Sequence, residues 1–114
     1  MRNTTEAVRL RLMIGESDAF EGRPLYQALV FKACEIGMAG ATVLRGAMGF
    51  GQTSRMHTTK IFRLSDDLPL VVEVIDTEEN VERLLAEAEP MLGSCLVTLE
   101  EIHVVRYGHD AGLG

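Results

Sequence analysis

The stretch PLVVEVIDTEENVERLLAEA, residues 69–88, predicts a strand followed directly by a helix. Residues 70–75 are nearly all apolar, which favours a central strand buried on both faces. Asp76 and Thr77 are candidate N-caps, and Glu79 follows Asp76 at the spacing of a capping box. The helix that follows has an apolar stripe at helical spacing, made of Val81, Leu84, Leu85 and Ala88. Pro90 and Gly93 are expected to bracket its end.

The first third of the chain predicts the same strand–helix order. Residues 7–14 alternate apolar and polar, which is typical of a half-buried strand. Pro24 suits the first turn of a helix, because its missing N–H would be unsatisfied there anyway. This helix is expected to reach about residue 38, with an apolar stripe of Tyr26, Leu29, Val30, Ala33 and Ile36.

The remaining segments complete the order. A second strand is predicted over residues 41–48, a loop over 49–58 and a strand-like segment over 60–64. The last strand lies within residues 95–107, with a bulge or double-sided burial near His103. The resulting βαββαβ order predicts an α+β, ferredoxin-like sandwich with one extra strand segment.

In that fold the helices cover one face of the sheet and leave the other face open. The open face carries apolar residues such as Val71 and Ile75. An acidic monomer would expose them to water, so oligomerisation is expected to cover this face.

Size and composition indicate one domain of 114 residues, with a core at about 7–107 and a flexible tail at 108–114. The net charge of −6 argues against binding to nucleic acid or to an anionic membrane surface. Charged residues interrupt the apolar residues near the N-terminus, so no signal peptide is expected, and no run approaches the length of a membrane span. Cys34 and Cys95 are expected to be buried, reduced thiols, which favours a cytoplasmic location.

The charges are unevenly distributed. No acidic residue lies between Glu35 and Asp66, whereas the same stretch contains Arg45, Arg55, His57, Lys60 and Arg63. A positive loop on a negative protein is typical of a site for an anionic metabolite. The backbone N–H groups of three glycines in or beside that loop would allow close approach of phosphate or carboxylate oxygens; these are Gly46, Gly49 and Gly51. The alternative is that the glycines only shape a turn and the basic side chains are only solvated.

Other chemistry is disfavoured. The three histidines and two cysteines lack the spacing of metal ligands, so no metal site is expected. Cys34 lacks a nearby base in sequence and no nucleophile–base pair supports catalysis, so no catalytic residue, cofactor or enzymatic activity is expected. The sheet lacks the aromatic pattern of ferredoxin-like RNA-binding proteins.

Four sequence motifs resemble those of a known family. The chain is similar to the family called domain of unknown function 190, which is described as PII-like, over about residues 7–107. The motifs that carry the resemblance are Gly22-Arg23-Pro24-Leu25-Tyr26, Ala39-Gly40-Ala41-Thr42-Val43-Leu44-Arg45-Gly46, Gly49-Phe50-Gly51 and Leu64-Ser65-Asp66-Asp67-Leu68-Pro69. The resemblance implies a homotrimer with ligand sites in the clefts between subunits. It also implies a mobile loop after the second strand that reports the ligand state to a partner protein.

The chain departs from true PII proteins in one respect. Those proteins hold nucleotide phosphates with a glycine-rich basic loop after the second helix. Residues 89–94 occupy that place here and contain no lysine or arginine. A nucleotide site of that kind is therefore not expected at this position.

The function expected from the sequence is that of a sensor for a small anionic ligand, most naturally an adenine nucleotide. Arg45 and the backbone of Gly46, Gly49, Phe50 and Gly51 would contact the anion. Arg55 and His57 would lie on the moving loop. By analogy with the basic C-terminal segment of PII proteins, Arg106 would close the cleft. An ion pair with Glu73 is the alternative role for Arg45. The alternative function is a ligand-free interaction subunit that docks on a membrane transporter or an enzyme.

Overall fold

The structure, a computed structural model, describes residues 4–49, 67–93 and 95–105. Its elements are β1 (Thr5–Gly15), β2 (Ala19–Phe20), β3 (Arg23–Pro24), α1 (Leu25–Glu35), β4 (Thr42–Arg45), β5 (Pro69–Asp76), α2 (Glu78–Leu92) and β6 (Leu96–Val104). Among the described residues, the short strands β2 and β3 pair with each other and not with the main sheet. The other six elements follow the order βαββαβ, which confirms the predicted α+β, ferredoxin-like fold.

One antiparallel sheet, in the order β4-β5-β1-β6, carries both helices on the same face. Helix α1 packs on α2 and β5, and α2 packs on β1 and β5. The core between the layers consists of branched aliphatic side chains from the strands and small or aliphatic ones from the helices. Its largest fully buried side chains are Leu10, Leu12, Leu29, Leu70, Val72, Val74, Val81 and Leu84.

Strand β5 is central, as predicted, but it is buried on only one face. Leu70, Val72 and Val74 face the helices and are buried, whereas Val71 and Ile75 are only half-buried on the other side. The expectation of burial on both faces is therefore wrong for the single chain. The reason is that both helices lie on the same side of this antiparallel sheet.

The face of the sheet opposite the helices, which we call the outer face, is arranged in rows across the strands. The register aligns one row of four apolar side chains from edge to edge: Leu44, Val71, Met13 and Leu96. We call this the apolar row. Next to it lie two cross-strand ion pairs, Arg11 with Glu73 at 2.8 Å and Arg9 with Glu100 at 2.6 Å. The outer face is therefore partly apolar and partly charged.

Asp76, at the end of β5, is fully buried and joins three parts of the chain. Its Oδ1 accepts hydrogen bonds from the Thr77 N–H at 2.7 Å and from Asn80 Nδ2 at 3.0 Å. Its Oδ2 accepts one from the Ala39 N–H at 2.8 Å, in the connection between α1 and β4. Asp76 thus connects the start of α2 to the segment that leads into β4.

Thr77 is the N-cap of α2, and its hydroxyl accepts a hydrogen bond from the Asn80 N–H at 3.2 Å. The predicted Asp76–Glu79 capping box is wrong, because a Thr77 cap makes Asn80 the residue three positions on. At the other end the helix continues through Pro90 to Leu92, and Gly93 is the C-cap. Pro90 therefore lies inside the helix instead of bracketing it.

The other boundaries differ modestly from prediction. Helix α1 ends at Glu35, and β4 is limited to Thr42–Arg45. The pairing of β1 with β6 is unbroken from Thr5↔Val104 to Met13↔Leu96, so the predicted bulge near His103 is absent from this ladder. Two predicted segments, the strand-like residues 60–64 and the tail at 108–114, lie outside the described residues, as does most of the predicted loop at 49–58.

The two cysteines also depart from expectation, because Cys34 is exposed and Cys95 is only half-buried. Cys34 follows the buried Ala33, and one residue along a helix rotates a side chain by about 100°, away from the core. Burial raises the pKa of the Cys95 thiol above its ordinary value. Cys95 is therefore protonated at neutral pH, which disfavours a role as nucleophile.

Candidate functional site

Three segments meet at one end of the sheet. Strand β1 ends opposite the start of β5, with Gly15 paired to Pro69, and β4 ends with Arg45 paired to Leu70. We call the group formed by residues 15–18, 45–49 and 67–69 the loop end. It contains the described part of the predicted anion site.

The turn after β1 is held by two carboxylates of the loop end. Asp18 Oδ2 accepts a hydrogen bond from the Gly15 N–H at 2.9 Å, and Asp67 Oδ1 accepts one from the Ser17 N–H at 3.0 Å. The Glu16 N–H donates to the Leu68 carbonyl at 2.8 Å. A Cβ on Gly15 would lie 2.6 Å from Asp67 Oδ1, so a larger residue there would displace the Asp67 carboxylate. The backbone of this turn is therefore fixed.

Arg45 projects from the end of β4 and forms an ion pair with Glu16. Its side chain is 58% exposed, and that of Glu16 is 24% exposed. The predicted alternative pair of Arg45 with Glu73 is wrong. Arg45 lies on the helix side of the sheet, like its partner Leu70, whereas Glu73 lies on the outer face and pairs with Arg11.

Gly46 and Gly49 both lie against the ring of Pro69. A Cβ on Gly46 would lie 2.8 Å from Pro69 Cγ, and one on Gly49 would lie 3.2 Å from the same atom. The Gly46 N–H already donates to the Pro69 carbonyl at 2.7 Å. The structure thus gives both glycines a packing role, and the Gly46 N–H is engaged within the protein instead of facing an anion.

This packing makes Gly46→Ala destabilising. The added methyl group must push against a proline ring, and overpacking of this kind costs about 1–3 kcal/mol. The matched control is Gly40→Ala, because a Cβ on Gly40 meets nothing within 4 Å. Urea unfolding of both variants measures the difference. Equal stability of the two variants would show that Gly46 does not need its close approach to Pro69.

The structure brings together three of the predicted ligand residues, Arg45, Gly46 and Gly49, at the loop end. The other five lie outside the described residues: Phe50, Gly51, Arg55, His57 and Arg106. Sequence reasoning missed three acidic residues of the loop end: Glu16, Asp18 and Asp67. The topology could have indicated them. The start of β5 lies between the end of β1 and the end of β4, so the residues that follow β1 and precede β5 come close to the end of β4.

Within residues 4–49, 67–93 and 95–105, no cluster of three metal-ligating side chains is found. The described helices also include none with the length and apolar character needed to cross a bilayer. The described part of the site thus contains one arginine, Arg45, and three nearby carboxylates that are each engaged in a hydrogen bond or ion pair.

The βαββαβ architecture and the four sequence motifs described above agree with the family comparison. The family DUF190, described as "Uncharacterized ACR", matches residues 7–104. The chain belongs to DUF190. This DUF190 chain is 42% identical over 96 residues to a UPF0166 protein of Aquifex aeolicus, covering 84% of the chain and 90% of that protein. It is 34% identical over 98 residues to a UPF0166 protein of Methanocaldococcus jannaschii, covering 85% and 90%.

Solved PII-like structures share the fold of this DUF190 protein. CPII of Thiomonas intermedia, a nitrogen regulatory PII-like protein bound to ADP, AMP and bicarbonate, superposes with a TM-score of 0.68 at 18% identity, over 93% of this chain and 94% of that one. A PII-like signalling protein of Thermus thermophilus superposes with a TM-score of 0.63 at 18% identity, over 91% and 94%. The predicted PII-like fold is thereby confirmed.

Proposed function

We propose that this DUF190 protein is a non-enzymatic sensor of a small anionic ligand, with an adenine nucleotide as the leading candidate. The observation that carries the proposal is the shared fold with CPII, whose solved structure contains ADP, AMP and bicarbonate. All three of those molecules carry phosphate or carboxylate-like oxygens. The sensor would signal to a protein partner through a change in the segment that follows β4.

The loop end supplies the described part of the proposed site. Arg45 lies on a paired strand and is more than half exposed, so its backbone is positioned while its guanidinium remains accessible. A planar guanidinium can donate two parallel hydrogen bonds to a phosphate or carboxylate. The Gly46 and Gly49 backbone would shape the wall of the site. Phe50, Gly51, Arg55, His57 and Arg106 are proposed to complete it.

The proposal includes a homotrimer with the ligand between subunits. The apolar row supports this assembly, because it crosses the whole sheet and leaves Leu44 47% and Leu96 61% exposed in the single chain. A row of apolar side chains on an acidic chain of this size favours burial against another copy. The two ion pairs beside the row leave no unpaired arginine or glutamate among Arg9, Arg11, Glu73 and Glu100.

A ligand-shift screen tests the proposed function. A molecule that binds only the folded protein stabilises it by about 2.7 kcal/mol at a ligand concentration of 100 Kd. We expect ADP, AMP or bicarbonate to raise the melting temperature, and neutral adenosine to have a smaller effect. If no anionic metabolite stabilises the protein, the sensing function is wrong.

That negative outcome would favour the alternative, a ligand-free interaction subunit that docks on a transporter or an enzyme. One observation supports this alternative: Arg45 already has a carboxylate partner in Glu16. A docking subunit of this kind would gain no stability from any metabolite in the screen.

Arg45→Lys tests the role of the guanidinium. Lysine keeps the charge but loses the two-pronged geometry, so affinity for the ligand is expected to fall about tenfold, equivalent to about 1.4 kcal/mol. Isothermal titration with the ligand from the screen measures the change. Arg83→Lys is the matched control, because Arg83 donates to the Ile36 carbonyl, away from the loop end. Unchanged affinity in Arg45→Lys would remove Arg45 from the site.

A further inference from the structure

The Arg45–Glu16 ion pair joins two segments whose backbones are fixed independently. On the Glu16 side, the turn is held by the Leu68 carbonyl and by the Asp67 carboxylate. On the Arg45 side, β4 is paired with β5 and the next N–H, that of Gly46, is bonded to Pro69. The fold therefore fixes the backbone positions of both residues, so that their side chains are held within reach of each other.

The three carboxylates of the loop end have different tasks. Those of Asp18 and Asp67 accept backbone N–H groups and hold the turn. Glu16 fixes its backbone through its own N–H, and its carboxylate reaches Arg45. Among these three carboxylates, Glu16 is therefore the one that forms the ion pair with Arg45, the cation of the candidate site.

We propose that Glu16 is an internal counter-ion that occupies the anion contact of Arg45, so that a phosphate or carboxylate ligand binds there in competition with it. This inference rests on the proposed function and adds to it a residue that sets ligand affinity. A carboxylate is the chemical equivalent of the anionic group of such a ligand. Both present oxygens to the same guanidinium N–H groups.

The competition is energetically accessible. Ion pairs with substantial exposure contribute little net stability, because solvent screens the charges. Arg45 is more than half exposed and the described bond to Glu16 uses only Nη2, so an incoming anion can first contact the other guanidinium N–H groups and then take the place of Glu16 on Nη2. A ligand can therefore displace Glu16 without unfolding the turn, which its other hydrogen bonds hold.

Glu16→Gln tests the inference. Glutamine preserves the size of the side chain and removes the charge, so affinity for an anion is expected to rise about three- to tenfold, through loss of the competing pair and of repulsion between carboxylate and anion. The probes are ADP, inorganic phosphate and bicarbonate, titrated by calorimetry. The matched control is Glu21→Gln, which changes the net charge equally at an exposed residue outside the loop end. Its affinity is expected to stay near that of the wild type.

A double-mutant cycle locates the effect. The gain from Glu16→Gln is expected to be smaller in the Arg45→Lys background, because the two-pronged contact for which Glu16 and the anion compete is then missing and only the loss of repulsion remains. If the wild type binds these anions and Glu16→Gln leaves the affinity unchanged or weakens it, the inference is wrong. The proposed function is not affected by that result. If neither the wild type nor Glu16→Gln binds any of the three anions, the inference is wrong, and the ligand-shift screen with other anionic metabolites decides the proposed function.

Discussion

Replacement of Asp76 by alanine is expected to lower the free energy of unfolding by about 3 kcal/mol. The Asp76 carboxylate is 0% exposed and accepts hydrogen bonds from the Thr77 N–H, the Asn80 side chain and the Ala39 N–H. Alanine leaves these part-buried donors without this acceptor, and each donor that is left unsatisfied away from water costs about 1–3 kcal/mol. It also removes a negative charge from the N-terminus of α2, where the helix dipole favours one.

Two further variants make this prediction specific. Thr77→Ala removes the N-cap hydroxyl while leaving the Asp76 carboxylate in place, and it is expected to cost about 1 kcal/mol. Glu89→Ala removes an exposed carboxylate from the same helix and is expected to change stability by less than about 0.5 kcal/mol. Urea unfolding followed by circular dichroism gives all three values. An Asp76→Ala variant as stable as Glu89→Ala would show that the buried carboxylate does not connect the two segments.

Leu96→Glu is expected to convert the proposed trimer into monomers. Leu96 is 61% exposed in the single chain, so glutamate there is compatible with folding. In a trimer that covers the apolar row, every subunit would bury one unpaired carboxylate. At about 2 kcal/mol each, the three together cost about 6 kcal/mol, which lowers the assembly constant by about four orders of magnitude.

Light scattering coupled to gel filtration measures the outcome. Phe31→Glu is the matched control, because Phe31 is 54% exposed on α1, in the helix layer away from the outer face. We expect the wild type and Phe31→Glu to have the mass of a trimer and Leu96→Glu that of a monomer. A Leu96→Glu variant that stays trimeric would show that the apolar row is not an interface, and a monomeric wild type would overturn the trimer itself.

The order of elements was predictable because strand and helix periodicity are local properties of the sequence. The alternation in β1 and the stripe of Val81, Leu84 and Ala88 in α2 each indicate their element without knowledge of the rest. The burial of β5 was less predictable. Half-burial of Val71 and Ile75 depends on which layers cover the sheet, and an apolar strand sequence is compatible with burial on one face or both.

Contacts at the candidate site were harder to predict, because they depend on register. The predicted Arg45–Glu73 pair assumed only that the two strands are neighbours, which they are. The register places Thr42 opposite Glu73, and Arg45, three residues further on, points to the other face. The partner of Arg45 is instead Glu16, in the turn that follows β1. No local pattern in the sequence indicates that residue.

The position of β1 in the sheet also affects how the chain folds. This first strand pairs with β5 and β6, so its cross-strand ion pairs join residues that are 62 and 91 positions apart in sequence. Each pairing must close a long loop, and the entropy lost in closing it precedes the gain from the contacts. Folding is therefore slower than in folds with local contacts. On the ribosome, β1 emerges before the other strands of the sheet and keeps both of its edges open until β5 and then β6 have been synthesised.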